Sequence, residues 1–276
     1  MSYVINRTGS VPLIQSSLLK DEPGLIHGFT SREGGVSEGF LSSLNLSFTR
    51  GDREENVREN FRRLGETIGL SPDRFVLTDQ THTANIRLVT EEDAGKGVTR
   101  PLDYHDVDGL ITDRPRLVLS VFVADCLPVL LYDPVHHVIS ALHSGWRGTV
   151  GRISGRAIRW MEENFHTDPK DVRAVIGPSI CPNCYEVSQE LADRFSKEFS
   201  SPSILRPGRI MEDGSGRHFY LNLWEAVRET LLDQGLEDSH IDILGLCTME
   251  NADWLFSHRA TGGKRGNMAG IIALRS

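Results

Sequence analysis

Cysteine sulfur and histidine nitrogen can share a metal ion or work as a nucleophile and its base. Two such residues bracket the most regular apolar stretch of the chain. Cys126 stands just before the apolar run 127–132, and His143 just after the run 138–142. Between the runs lies Asp133-Pro134, a turn signal because proline presets φ at the second turn position. With Asp133 to His136 as a four-residue connection, Tyr132 faces His137. The same register, carried along both strands, sets Cys126 directly opposite His143. Facing residues share one side of a sheet with Cβ atoms about 4.5–5.5 Å apart. That suits two ligands about 2.0–2.3 Å from one metal, and equally a thiol–imidazole catalytic pair. A slip of one residue would turn the two side chains to opposite faces.

A metal needs a third ligand, and His82 is the best candidate. It sits among small polar residues, Thr81-His82-Thr83, just before an expected strand at 86–89. The other histidines compete poorly. His136 and His137 fall at the turn, His27 lies near an apolar start, and His105, His166, His218 and His240 occupy polar loops. His258, in Phe256-Ser257-His258-Arg259, reads as lining a site. After His143 comes Ser144-Gly145-Trp146-Arg147-Gly148-Thr149, which leads into a helix. Free amides at a helix start and the guanidinium of Arg147 can hold phosphate. The alternative is a tight strand–helix connection in which Arg147 pairs with a surface carboxylate. Cys181-Pro182-Asn183-Cys184 follows Gly177-Pro178 in an expected loop and lacks the second CxxC that a structural zinc site normally uses.

The elements that must position these residues are mixed. Residues 54–70 form an amphipathic helix, with Val57, Phe61, Leu64 and Ile68 on one stripe. Residues 149–165 form another, with Ile153, Ala157, Trp160 and Met161 together. Ser188 and Asn222 are expected helix N-caps. Strands are expected at 117–124, 172–176, 241–246 and 269–274, besides the hairpin. Hairpin-like pairs interrupt any regular βαβ alternation, so a layered α/β fold with mixed sheets fits better than a doubly wound parallel sheet.

The 276 residues are 25% charged with a formal net charge of −8. That argues against a nucleic-acid partner, which calls for a basic face. The basic clusters at 53–63 and 206–217 are interleaved with acids and read as solvated surface. No apolar stretch approaches the length of a membrane span, and the first residues lack a secretory pattern. Four cysteines are too few for a disulfide scaffold, so they are expected as thiols in the cytoplasm.

Several segments in order resemble one known family: His27-Gly28-Phe29, Gly34-Gly35-Val36-Ser37, Ser43-Leu44-Asn45-Leu46-Ser47, Gln80-Thr81-His82, Val107-Asp108-Gly109, Ala124-Asp125-Cys126-Leu127-Pro128, His143-Ser144-Gly145-Trp146-Arg147-Gly148, Ile176-Gly177-Pro178, Cys184-Tyr185-Glu186-Val187 and Phe256-Ser257-His258-Arg259. The chain is similar, over nearly its whole length, to the purine nucleoside phosphorylase family that includes proteins once described as multicopper polyphenol oxidases or laccases. The resemblance implies a single domain over 1–276, an α/β/β/α sandwich with helices outside two facing mixed sheets. It implies zinc on His82, Cys126 and His143, with copper as an alternative occupant. The implied activities are phosphorolysis of adenosine, inosine and methylthioadenosine, and deamination of adenosine, so that purine nucleosides and phosphate are the partners.

Within that expectation, Cys126 and His143 are catalytic as well as metal-binding. Asn45, Gln80, Arg147, Ser144, His258 and Arg259 contact substrate, and Asp125 carries a proton or orients a ligand, a structural ion pair being its other reading. Two departures stand out. The family often has Arg-Arg where this chain has Arg259-Ala260, and Gly-Arg where it has Gly266-Asn267; Arg265 is the substitute for the latter. A true laccase is a weak rival, because ten histidines with no His-x-His cannot build four copper sites. A metal-free cysteine hydrolase using Cys126 and His143, a metal-dependent amidase acting on a cell-wall precursor, and a binding module without catalysis remain as alternatives.

Overall fold

Long runs of Val, Leu and Ile that are buried on both faces become the central strands, and everything else is arranged to cover them. In a computed structural model, which describes residues 2–210 and 216–275, the strands are β1 (Tyr3–Asn6), β2 (Leu13–Ser16), β3 (Leu25–Thr30), β4 (Phe75–Leu77), β5 (Ile86–Leu88), β6 (Gly109–Thr112), β7 (Val118–Val123), β8 (Leu127–Asp133), β9 (Val138–Ser144), β10 (Arg173–Ile176), β11 (Glu186–Val187), β12 (Leu205–Ile210), β13 (Arg217–Leu221), β14 (Ile241–Ile243) and β15 (Met268–Leu274). The helices are α1 (Glu54–Ile68), α2 (Trp146–Val150), α3 (Ile153–Phe165), α4 (Gln189–Glu198), α5 (Leu223–Asp233) and α6 (His258–Thr261).

One six-stranded sheet runs β1-β2-β3-β15-β7-β4 and a second runs β14-β10-β8-β9-β6-β5, while β11-β13-β12 form a small third sheet. Both large sheets mix parallel and antiparallel pairs: β4 is parallel to β7, and β5 to β6, within otherwise mainly antiparallel ladders. Side chains from both fill one core, with Leu119 and Val121 of β7 and Ile272 of β15 clustered with Leu130 of β8 and Ile139 of β9. The outer face of the first sheet packs on α1 through Val57, Phe61 and Leu64. The outer face of the second packs on α3, α4 and α5 through Ile158, Phe195 and Val227. The result is a mixed α/β domain layered helix, sheet, sheet, helix, as expected. Among the described residues no helix is long and apolar enough to cross a membrane. Residues 211–215 of the basic stretch 206–217 lie outside the described residues.

Local chemistry explains the boundaries. α1 carries Glu54 and Glu55 in its first turn, where the helix dipole favours acids, and ends at Gly69 in the left-handed conformation. Ser188 and Asn222 cap α4 and α5 by accepting from the amides of Leu191 and Glu225. The expected helix at 149–165 is divided: α2 stops at Gly151, and Arg152, at φ 53°, starts α3.

The hairpin register differs from expectation. Asp133 pairs with Val138, so the connection is Pro134 to His137, and His143 faces Pro128, not Cys126. The Asp133 carboxylate accepts from the amides of Val135 and His136 at 2.8 and 3.1 Å, and His137 closes the turn at φ 54°. These bonds move the turn one residue along. Each facing partner therefore shifts by two, which preserves the side of the sheet on which it lies. Cys126 sits just outside β8, and the direct opposition expected from the sequence is replaced by a diagonal one.

Candidate metal centre

Two links between the large sheets carry the chemistry. β7 belongs to the first sheet and β8 to the second, so Ala124, Asp125 and Cys126 form the crossing between them. The loop from β4 to β5 makes a second crossing and carries His82. His143 comes up from near the end of β9. The sulfur of Cys126 and one nitrogen from each histidine all lie within 4.8 Å of one another. Cys126 Sγ is 3.9 Å from His82 Nε2, and the two imidazoles meet edge to face with centroids 4.9 Å apart. His143 is buried, Cys126 half-buried and His82 exposed, so the group opens to one side.

One carboxylate holds this arrangement against unfavourable backbone angles. Asp125 and His82 both have positive φ, at 90° and 66°. Such angles persist in non-glycine residues only where the surroundings fix them. For His82 the fixing group is Asp108, fully buried ahead of β6. Its Oδ1 accepts from His82 N at 3.1 Å and lies 2.7 Å from His143 Nδ1. Its Oδ2 accepts from the amides of Thr81 and Thr83 and from the Thr83 hydroxyl. One carboxylate thus shapes the His82 loop and orients the His143 ring. Sequence reasoning noted Asp108 only as part of a motif; a buried acid adjoining Gly109 was the available signal. Gly145 faces the group, and a Cβ there would lie 2.8 Å from His82 Cδ2 and 3.1 Å from Cys126 Sγ.

The electrostatics favour a thiolate. Burial pushes the Cys126 thiol up, but the charge and hydrogen bond of His143, with those of His82, outweigh it and bring it down to about 6. Burial pulls the His143 imidazole down, yet the nearby Cys126 and the Asp108 carboxylate carry it up to about 9. A thiolate with two imidazoles is a donor set suited to zinc, and the Asp108–His143 contact is the outer support that metal-bound histidines commonly have.

The group lines a cavity of about 300 Å³. Phe48, Leu77, Leu102 and Phe122 give it an apolar wall, and Arg50 and Arg265 supply charge. Arg265 is buried; the Nε of each guanidinium is buried without a hydrogen-bond partner. Burial, then the neighbouring Arg50 charge, lower Arg265 to about 10. Arg265, expected to substitute for the family's arginine, lines the cavity. Arg50 was missed, since nothing in its surroundings, Thr49-Arg50-Gly51, distinguishes it from surface arginines.

The remaining expected site residues divide into three groups. Gln80 lines the cavity, while its amide pairs with both backbone groups of Phe122, at 2.6 and 2.7 Å. Asn45, Asp125 and Ser144 are buried and occupied elsewhere. Asn45 bonds Ser47, Asp52 and the amide of Asn267. Asp125 accepts from the Thr248 hydroxyl and the Arg259 amide, both at 2.6 Å, and Ser144 meets Thr149. Arg147, His258 and Arg259 lie outside the cavity lining. Arg147 stacks on Trp146, and Arg259 donates to the carbonyl of Glu186 beside Tyr185. His258 stands near Arg265, its pKa held below the ordinary value by burial and then by that cation.

Residues 26–275 match the family described as multi-copper polyphenol oxidoreductase laccase. A Bacteroides thetaiotaomicron protein named purine nucleoside phosphorylase is 37% identical over 92% of this chain and 93% of its own length. The Geobacillus stearothermophilus protein named purine nucleoside phosphorylase YlmD is 35% identical over 91% of each. A crystal structure of YlmD from Geobacillus stearothermophilus superposes with a TM-score of 0.89 at 32% identity, over 100% of this chain and 99% of that one. With a family match over most of its length and these relatives, the chain belongs to the laccase-type polyphenol oxidoreductase family whose members bear the name purine nucleoside phosphorylase.

Proposed function

We propose that this chain is a zinc-dependent purine nucleoside phosphorylase, acting on adenosine, inosine and methylthioadenosine, and that it also deaminates adenosine. The reading is carried by one juxtaposition: three metal-ligand atoms within 4.8 Å of one another, in the lining of a cavity that also has an apolar wall and two arginines. His82, Cys126 and His143 would hold the ion. When bound, it supplies Lewis-acid activation of a water or a substrate oxygen.

The chain's own residues account for the rest. Asp108 keeps the proton of His143 on Nδ1, leaving Nε2 free as a ligand. Phe48, Phe122 and the leucines give a purine ring a surface to pack on. Arg50 and Arg265 attract phosphate, in preference to the Arg147 expected from the sequence, because their buried Nε groups lack partners. In phosphorolysis a phosphate oxygen forms a bond to C1′ of the ribose while the C1′–N9 bond breaks. The electron pair leaves with the purine, which takes up a proton. Walls that exclude water from C1′ favour phosphate over hydrolysis. We place the reaction in the cytoplasm, in keeping with four free cysteines.

A metal-free cysteine hydrolase draws support from the lowered thiol of Cys126 beside a raised His143. The third donor, His82, and the Asp108 support favour the metal. Among the described residues the donor groups contain two histidines, too few for a blue copper centre and a trinuclear cluster. The test is to incubate zinc-loaded protein with inosine and phosphate and to look for hypoxanthine and ribose-1-phosphate. No product from any purine nucleoside would remove the proposal. One equivalent of zinc lost in Cys126→Ala would then leave the metal-dependent amidase, and a zinc content unchanged by that substitution would leave the cysteine hydrolase.

A further inference from the structure

The Cys181–Cys184 pair has the partners that its sequence lacked. Cys247 and Glu250, at the same spacing, meet it from a segment far along the chain. One ligand atom from each of the four residues lies within 4.8 Å of all the others. Cys181 and Cys247 are buried, Cys184 is half-buried and Glu250 is exposed. The Glu250 Oε1 is 3.6 Å from Cys181 Sγ and 3.7 Å from Cys184 Sγ. A tetrahedral zinc with Zn–S of about 2.3 Å and Zn–O of about 2.0 Å keeps sulfur and oxygen about 3.5 Å apart. The observed spacing is close to that edge.

The backbone is arranged to suit. The amide of Cys181 donates to Cys247 Sγ at 3.3 Å, and the amides of Cys184 and Tyr185 fold back on the carbonyl of Cys181 in a tight turn. Ser179 and Cys247 pair as a parallel bridge, which sets the two segments side by side. All the cysteines are free thiols, so no disulfide occupies the cluster.

We propose that Cys181, Cys184, Cys247 and Glu250 form a second zinc site, structural in kind and separate from the centre at Cys126. Four protein ligands complete a tetrahedron and leave no corner for substrate, which is the signature of a structural ion. The site fastens the two segments that grip Asp125. Ile180, next to Cys181, donates its amide to the Asp125 carbonyl at 2.9 Å. Thr248, next to Cys247, donates its hydroxyl to the Asp125 carboxylate at 2.6 Å. Asp125 in turn holds Cys126 at its crossing. The ion would thus brace the first centre from behind without touching it. Exposure of Glu250 gives the ion a way in.

Zinc content of the full chain tests this, read by mass spectrometry after gel filtration of zinc-loaded protein. Wild type is expected to hold two equivalents. Cys126→Ala, which leaves the cluster intact, is expected to hold one, and Cys181→Ser/Cys184→Ser to hold one fewer than wild type. Because the double variant can fail to fold, the decisive measurement uses cobalt on Cys126→Ala. Intense thiolate-to-cobalt charge-transfer bands are expected there, as only the cluster has sulfur left to supply them. Glu250→Gln should speed zinc loss to a chelator several-fold. The proposal is overturned by cobalt bound to Cys126→Ala without those bands, or by no metal in that variant at all. None of these outcomes bears on purine phosphorolysis, so the two proposals fail separately.

Discussion

Asp108 Oδ1 lies 2.7 Å from His143 Nδ1, with the carboxylate fully buried and the imidazole almost so. The same oxygen receives the amide of His82, so both histidines of the candidate centre are indexed to one acid. Replacing Asp108 with Asn keeps the shape but removes the charge and sets an NH2 either against both His143 Nδ1–H and His82 N–H or against the Thr81 and Thr83 donors. Zinc affinity should fall about 10–100-fold, the usual cost of losing such an outer partner. Competition against a chromophoric chelator measures it. An unchanged affinity would mean that Asp108 only shapes the loop.

Cys126 alkylation should report the thiolate. In metal-free protein the rate of modification by iodoacetamide, followed on the Cys126 peptide, is expected to rise with a midpoint near pH 6. An ordinary thiol titrates near 8.5. The sign follows from the partners: His143 and His82 favour the charged sulfur, so it persists as pH falls until about 6. Added zinc should suppress the reaction. A midpoint above 8 would contradict the electrostatics described here.

Gly145→Ala should separate metal binding from folding. Its Cβ would fall 2.8 Å from His82 Cδ2, and His82 is exposed on its loop, so the ring gives way before the fold does. The expected outcome is zinc affinity reduced at least 10-fold with a Tm change of a few degrees. A variant that binds zinc normally would show that His82 has room to spare.

Arg265→Met and Arg50→Met should raise KM for phosphate at least 10-fold while the KM for inosine changes little. Arg147→Met should leave both near wild type, since that side chain stacks on Trp146 outside the cavity lining. Steady-state kinetics with each substrate varied in turn decide the matter. The reverse pattern would return the phosphate to Arg147.

His27 makes folding sensitive to mild acid. It is 1% exposed, and its Nε2 accepts from the Ser16 amide. Burial brings its pKa down to about 4. The unfolded chain therefore binds the proton first. Stability is complete above about pH 6.5 and declines as pH falls towards 4, by about 3 kcal/mol at most. His27→Gln should flatten that limb of the Tm–pH curve, whatever it costs at neutral pH. An unchanged slope would assign the acid loss to other groups.

What the sequence determined by itself was local or periodic. The stripe of α1, the caps at Ser188 and Asn222, the buried strands and the presence of a hairpin between Cys126 and His143 all rest on neighbours within one element. Nearness in the chain is enough to set them. The side of the sheet shared by Cys126 and His143 was legible as well, because parity survives a two-residue shift, but their exact register was not. That depended on which residue the Asp133 carboxylate chose to cap.

Tertiary structure decided what comes together from different crossings. Asn45 could be read as a substrate contact until the packing of Ser47, Asp52 and Asn267 used up its amide. Asp108, Arg50 and Arg265 acquired their places only when two sheets closed on one another. Cys247 and Glu250 reached the Cys181 turn only through a bridge at Ser179. Such meetings carry no spacing signal, because the loops that make them are ordered by the core beneath rather than by their own residues.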